Sequence, residues 1–168
     1  EIKTYLETSP DLNVYDYQEW DQQTDDFVNE VIGLKMNKIE HIGIAVKSLE
    51  EAIPRYEQLL KTPCYKTEKV ESEQVNTAFF RVGESKIELL ESADPTGVIA
   101  KFIEKRGEGL HHTAYDVSNI EAEMSRLKEA GFVLLNETPK KGADNKWVCF
   151  VHPKNTNGVL IELCQEIR

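Results

Sequence analysis

Long apolar runs are missing from this chain of 168 residues, and with them any stretch of the roughly 20 apolar residues that a membrane-spanning helix needs. An excess of positive charge is missing too. The 20 Lys and Arg are outnumbered by 30 Asp and Glu, a balance of −10. That excludes nucleic acid as the expected partner, because a duplex binder must present a phosphate-neutralising surface. Cysteine is scarce and unpaired in number: Cys64, Cys149 and Cys164, with no Cys-x-x-Cys. A disulfide framework is therefore not expected, and a reducing, cytoplasmic setting is. Cys149 and Cys164 lie in apolar, strand-like runs and read as small buried hydrophobes. No secretory signal is expected from the first residues, which open on Glu1 and carry no signal-peptide pattern.

What is present suits a globular protein of one or two small domains, with 40% hydrophobic and 30% charged residues. The acid is unevenly spread. Residues 1–35 hold nine Asp and Glu against two Lys, a local balance of −7 that leaves −3 for the remainder. Trp20, Phe27, Val31 and Leu34 fall on one helical stripe, so a short helix is expected over 21–32, stopped near Gly33. Residues 1–35 thus read as an acidic extension foreign to the core, and Met36 opens a far more regular pattern that runs to residue 168.

That pattern is a repeat. Ile39-Glu40-His41-Ile42 leads into Val46, Ser48, Leu49 and Glu50; Leu110-His111-His112-Thr113 leads into Val117, Asn119, Ile120 and Glu121. Ile87-Glu88-Leu89 closes the first copy and Ile161-Glu162-Leu163 the second. The histidines at 41 and 112 are 71 residues apart and the glutamates at 88 and 162 are 74 apart, so the halves match in length. Each half reads β-α-β-β-β. The first runs over 39–46, a helix capped by Ser48 with Glu51 at N3, then 65–70, 75–82 and 86–91. Pro54 costs that helix a hydrogen bond. A connecting helix follows at Val98–Ile103, ending at Gly107. The second half runs over 110–117, a helix at 120–130, then 132–137, 146–151 and 159–165. The expected fold is α+β: two tandem modules, about 38–91 and 110–166, forming a half-open barrel with a cleft on its pseudo-axis.

Alternation along a strand implies that His111 and His112 do not both face the cleft, and the repeat selects His112 as the partner of His41. Glu88 and Glu162 each sit between apolar neighbours, where a carboxylate is costly unless bonded, paired or bound to metal. A lone strand histidine or glutamate is ordinary. Four ligand-type residues at repeat-equivalent places are not, and His41, Glu88, His112 and Glu162 form the candidate metal set. Two imidazoles and two carboxylates suit a divalent cation with open coordination positions. His152, in Val151-His152-Pro153, has no partner in the first module and reads as a turn residue.

With these residues in place, the chain resembles the vicinal oxygen chelate superfamily of glyoxalases, and most closely its methylmalonyl-CoA epimerases. The likeness rests on Glu40-His41-Ile42-Gly43-Ile44-Ala45-Val46, on Gly109 to Tyr115, on Val151 to Lys154 and on Gly158 to Leu163. It covers about Lys38 to Arg168 and none of residues 1–35. The resemblance implies His41, His112 and Glu162 as metal ligands, with Glu88 in the place of a fourth. It implies a divalent ion such as cobalt, or manganese, magnesium or zinc. It also implies an acyl-CoA substrate, interconversion of 2R- and 2S-methylmalonyl-CoA, and a homodimer. Some relatives carry a further carboxylate around Asn76-Thr77-Ala78, where this chain has no base.

On that basis Glu162 is expected to move a proton on one face of the substrate and Glu88 on the other. Lys140, Lys141, Lys146 and Lys154 are candidates for the phosphates of coenzyme A. Three other readings stand: a glyoxalase I-like lyase acting on glutathione adducts, which would share every ligand; a dioxygenase, for which two His and one Glu would suffice; and a non-catalytic small-molecule binder, which shares the fold but would not need the ligand set. A fourth protein ligand at Glu88 speaks against the dioxygenase, because it occupies a position that oxygen chemistry needs.

Overall fold

The computed structural model describes residues 35–168, so the helix expected over 21–32 lies outside the described residues. Eight strands form one curled sheet, in the order Lys66–Val70, Val75–Val82, Ser85–Ser92, Met36–Ala45, Gly109–Val117, Leu160–Glu166, Lys146–Val151 and Lys140–Lys141. The first module supplies β1 (Met36–Ala45), α1 (Leu49–Leu60), β2 (Lys66–Val70), β3 (Val75–Val82) and β4 (Ser85–Ser92). A connecting helix, α2 (Val98–Arg106), leads to β5 (Gly109–Val117), α3 (Ile120–Glu129), β6 (Lys140–Lys141), β7 (Lys146–Val151) and β8 (Leu160–Glu166). Among the described residues no helix is long and apolar enough to cross a membrane.

The duplication shows in the pairing. β1 runs parallel to β4 and β5 runs parallel to β8, while β1 and β5 pair antiparallel and join the two halves. The helix starts repeat as well. Ser48 accepts from the Glu51 amide at 3.3 Å and Asn119 from the Ala122 amide at 3.0 Å, each satisfying a donor that a helix start leaves open. Pro54 sits inside α1 without ending it.

Period-two alternation sorts each closing strand. Leu89 and Leu163, each 0% exposed, pack toward the helix layer, Leu89 with Ala52 and Phe80 and Leu163 with Met124 and Leu127. Their neighbours Glu88 and Glu162 turn to the concave side. There α2 closes one end, packing Ile99 on Val70, Val75 and Leu90.

The strand expected at Phe132–Glu137 is a correction: the segment makes only an isolated bridge, Leu134 to Val151. Its apolar run suits a strand, but the Asn136 side chain takes the Phe150 amide at 3.0 Å in place of a backbone carbonyl. The ladder resumes only past Pro139, at Lys140–Lys141. The turn from β6 to β7 places Asp144 (φ 50°) and Asn145 (φ 56°) in the left-handed region, the sign pattern of a tight type I′ turn, which Asp and Asn tolerate.

Candidate metal centre

The two central strands carry the histidines, and each has a bulge that aims them. Along β1, Ile39 pairs with Tyr115 and His41 with Ala114, so Glu40 is an extra residue. Along β5, Leu110 pairs with Ile44 and His112 with Gly43, so His111 is the extra residue. These bulges occupy repeat-equivalent positions. A bulge suspends alternation and lets two successive residues share a face. The expectation that His111 and His112 cannot both face the cleft is thereby overturned: both line the same cavity, with their Nδ1 atoms 2.9 Å apart.

The four expected donors converge in that cavity, which measures about 1070 Å³ including its open mouth. His41 Nε2 and His112 Nε2 lie 2.9 Å apart. Glu88 Oε2 is 3.2 Å from the first and 3.5 Å from the second; Glu162 Oε2 is 3.6 Å and 3.0 Å from them. Donors held about 2.1 Å from one cation lie about 3.4 Å apart in a tetrahedral shell and about 3.0 Å apart at neighbouring octahedral positions. The spacings between the imidazoles, and from each carboxylate to the imidazoles, fall around those values, and His41, Glu88 and His112 group closely enough to hold one small divalent ion. His41, Glu88, His112 and Glu162 are all buried, at 3–6% exposure.

Charge tells the same story. Burial opposes charge on every member, yet the cluster overrides it. Desolvation would raise Glu88 and Glu162, but the two imidazoles hold both well below the usual carboxylate range. Desolvation would lower the histidines, but Glu162 and Glu88 lift His112 to about 9 and Glu88, with Glu162 and Glu40, lifts His41. Two buried carboxylates demand compensating positive charge. Protonated imidazole supplies it in the metal-free protein, and a dication supplies it otherwise.

Sequence reasoning missed the supports behind the donors. Glu40, 3% exposed, receives the His41 ring through Nδ1 at 2.5 Å. Lys86 contacts its other oxygen closely and Lys146 lies 3.6 Å from it. Burial raises the Glu40 pKa, but His41 and Lys86 outweigh it and hold the group at about 2. Lys86 also meets Asp144 at 2.7 Å, and Asp144 meets Lys66 at 3.1 Å, so the β6–β7 turn is tied by charge to the first module. Cys164 is 0% exposed as expected, and its thiol donates to Glu162 Oε1 at 3.2 Å, leaving Oε2 for the histidines. His111 is held neutral, burial and the neighbouring His112 pushing it down to about 4.

The other expectations divide. Lys146 is 8% exposed and engaged with Glu40 and Glu166, so it is not offered to a phosphate. Lys140 stands at the cavity paired with Glu73, and Lys141 and Lys154 are exposed. His152 accepts from the Lys154 amide at 3.0 Å in a short 3-10 turn, the role expected of it. Thr77 lines the cavity but donates to the Glu68 carbonyl at 3.1 Å, and it offers no base.

Comparison with known proteins bears on this geometry. Residues 40–150 match the family model of the Glyoxalase/Bleomycin resistance protein/Dioxygenase superfamily. The chain is 39% identical over 132 residues to the ethylmalonyl-CoA/methylmalonyl-CoA epimerase of Cereibacter sphaeroides, covering 77% of this chain and 98% of that one. It is 35% identical to a crystal structure of methylmalonyl-CoA epimerase from Mycobacterium tuberculosis, with a TM-score of 0.76 over 79% of this chain and 90% of that one. A Streptomyces coelicolor methylmalonyl-CoA epimerase variant in complex with 2-nitronate-propionyl-CoA superposes with a TM-score of 0.77 at 28% identity, covering 80% of this chain and 100% of that one. The chain belongs to the Glyoxalase/Bleomycin resistance protein/Dioxygenase superfamily and, within it, to the methylmalonyl-CoA epimerase family of isomerases.

Proposed function

We propose that this chain interconverts the 2R and 2S forms of methylmalonyl-CoA, using a divalent cation held by His41, Glu88, His112 and Glu162. The observation that carries the reading is the convergence of two glutamates from repeat-equivalent strands on one buried chamber. Epimerisation beside a thioester needs a group to take the α-proton and another to return one on the opposite face. When bound, the cation would supply electrophilic stabilisation of the negative charge that develops on the thioester oxygen, a contribution of several kcal/mol. Cobalt is the proposed ion, with manganese, magnesium or zinc as substitutes.

The chain's own residues do the rest. Glu162, held ionised, takes the proton on its side of the substrate once its Oε2 is released from the cation, because a metal-bound carboxylate is a weakened base. Cys164 fixes the unused oxygen, which limits the carboxylate to one direction of approach. Glu88, ionised in the resting site, takes up a proton from solvent and returns it on the opposite side, since the Asn76-Thr77-Ala78 stretch has no base to offer. Glu162 gives its proton to solvent to complete the cycle. Val70, Val75, Leu90, Ile99 and Phe79 line the chamber with apolar surface and keep water from the deprotonated carbon. Lys140, Lys141 and Lys154 remain as surface partners for the phosphates of coenzyme A.

The test is loss of deuterium from α-deuterated methylmalonyl-CoA to solvent, with and without added divalent metals, for the wild type and Glu162→Gln. Metal-dependent exchange is expected, with exchange in Glu162→Gln reduced by at least about a hundredfold, within the range of general acid–base contributions. Wild-type exchange in the variant with metal still bound removes Glu162 from the base role. No exchange by the wild type, together with turnover of a glutathione hemithioacetal, replaces the epimerase reading by the lyase one.

A further inference from the structure

The duplication that matches the four donors does not match what stands behind them. The bulge residue before each histidine meets that histidine's Nδ1: Glu40 behind His41 and His111 behind His112. One support is a carboxylate and the other a second imidazole. Resting on the metal-dependent reading above, we infer that Glu40 is a positioning residue for the cation: it fixes the tautomer and direction of His41 and makes it the stronger of the two imidazole donors.

Both oxygens of Glu40 are committed. Oε2 accepts the His41 Nδ1–H, which leaves the Nε2 lone pair as the face turned to Glu88, Glu162 and His112. Oε1 is taken by the ammonium groups of Lys86 and Lys146. With two ammonium groups beside it, Glu40 is a poor ligand for a second cation, although Glu40, His41 and Cys164 lie close enough together to suggest one. A carboxylate behind a metal-bound imidazole raises its basicity and holds its ring, and loss of such a support typically weakens metal binding 10- to 100-fold. His111 carries no charge to give His112 in the same way. Its proton can sit on either Nδ1, so neither tautomer of His112 is enforced.

The bulge makes this possible. Regular alternation would place residue 40 on the helix-covered face, opposite His41. The extra residue in β1 rotates the backbone so that both side chains enter the chamber from one strand. Lys86 and Lys146 then share the neutralisation of the buried carboxylate, so that either ammonium alone still supports it.

The experiment titrates full-length protein with Mn²⁺ and Co²⁺ against a chromophoric chelator, for the wild type, Glu40→Gln and Lys86→Met. Folding of each variant is monitored by circular dichroism. Glu40→Gln should bind each ion about 10- to 100-fold more weakly. Lys86→Met, which keeps the carboxylate, should stay within about threefold of wild type. Binding by Glu40→Gln within threefold of wild type overturns the inference. So does an equal loss in both variants, which would assign the effect to the ion-pair network as a whole. Should Glu40→Gln not fold, ¹⁵N spectra of the wild type loaded with Zn²⁺ decide. A hydrogen-bonded proton on His41 Nδ1 supports the inference, and its absence overturns it. A wild type that binds none of these ions defeats the proposed metal site itself, an outcome distinct from failure of Glu40 alone.

Discussion

Gly43 offers a test of the chamber that changes no charge and no donor. It pairs with His112 across the seam between β1 and β5, and the imidazole lies directly over its Cα. A Cβ added there would stand 2.2 Å from His112 Cε1, 2.5 Å from Nδ1 and 2.7 Å from Nε2. Ordinary contact begins near 3.4 Å, so the ring must retreat by about 1.2 Å. Gly43 is not among the residues with positive φ, so alanine meets no backbone strain and the effect is steric alone. Metal sites tolerate deviations of about 0.2 Å, and a retreat of this size takes His112 out of the donor set. Gly43→Ala is therefore expected to weaken Co²⁺ or Mn²⁺ binding at least about a hundredfold, close to 3 kcal/mol. Overpacking typically costs about 1–3 kcal/mol of fold stability, at the low end where a side chain can swing aside. Chelator competition reads the first quantity and urea denaturation of the metal-free protein the second. Moving the ring also loosens its 3.0 Å contact with Glu162, so the His112 pKa should fall from about 9 toward 6.5 in an NMR titration of metal-free protein. Metal affinity within threefold of wild type, with an unmoved His112 titration, refutes the geometry on which the proposed site depends.

Further outcomes follow from the same structure. In the metal-free protein the folded His112 pKa of about 9 exceeds its ordinary 6.5, so its stabilising contribution is complete below pH 6.5 and is lost as pH rises through 9. Melting temperatures measured without metal should fall across that window, while the stabilisation by added metal should grow because protons compete less. Leu163→Ala, at a fully buried position under α3, should cost about 2–5 kcal/mol in urea denaturation, and Leu89→Ala beneath α1 a similar amount. Ser48→Ala should cost about 1 kcal/mol by removing the α1 cap, with metal affinity unchanged.

The sequence revealed the donors more readily than their supports. His41, Glu88, His112 and Glu162 stand out because a repeat doubles each signal and because alternation turns Glu88 and Glu162 away from the helix layer. Glu40 and His111 escaped because a bulge belongs to the pairing between two strands about seventy residues apart, not to either strand's own pattern. Lys146 read as a surface lysine because nothing local announces that Glu40 will wait beneath it. Val133, Leu134 and Leu135 read as a strand because their side chains suit one, whereas Asn136 diverts the hydrogen bonding. The segment before Lys35 lies outside the described residues.

The antiparallel meeting of β1 and β5 carries an approximate dyad through the chamber. A substrate whose stereogenic carbon rests near that dyad meets comparable surroundings whichever hand it has, which is what a catalyst accepting both epimers requires. Any unevenness in how the two hands are handled then originates where the halves diverge, as at Glu40 against His111, at Thr77 against Val148, and where α2 covers one end alone. Exchanging those residues between the halves is a way to tilt the enzyme's preference without touching a single donor.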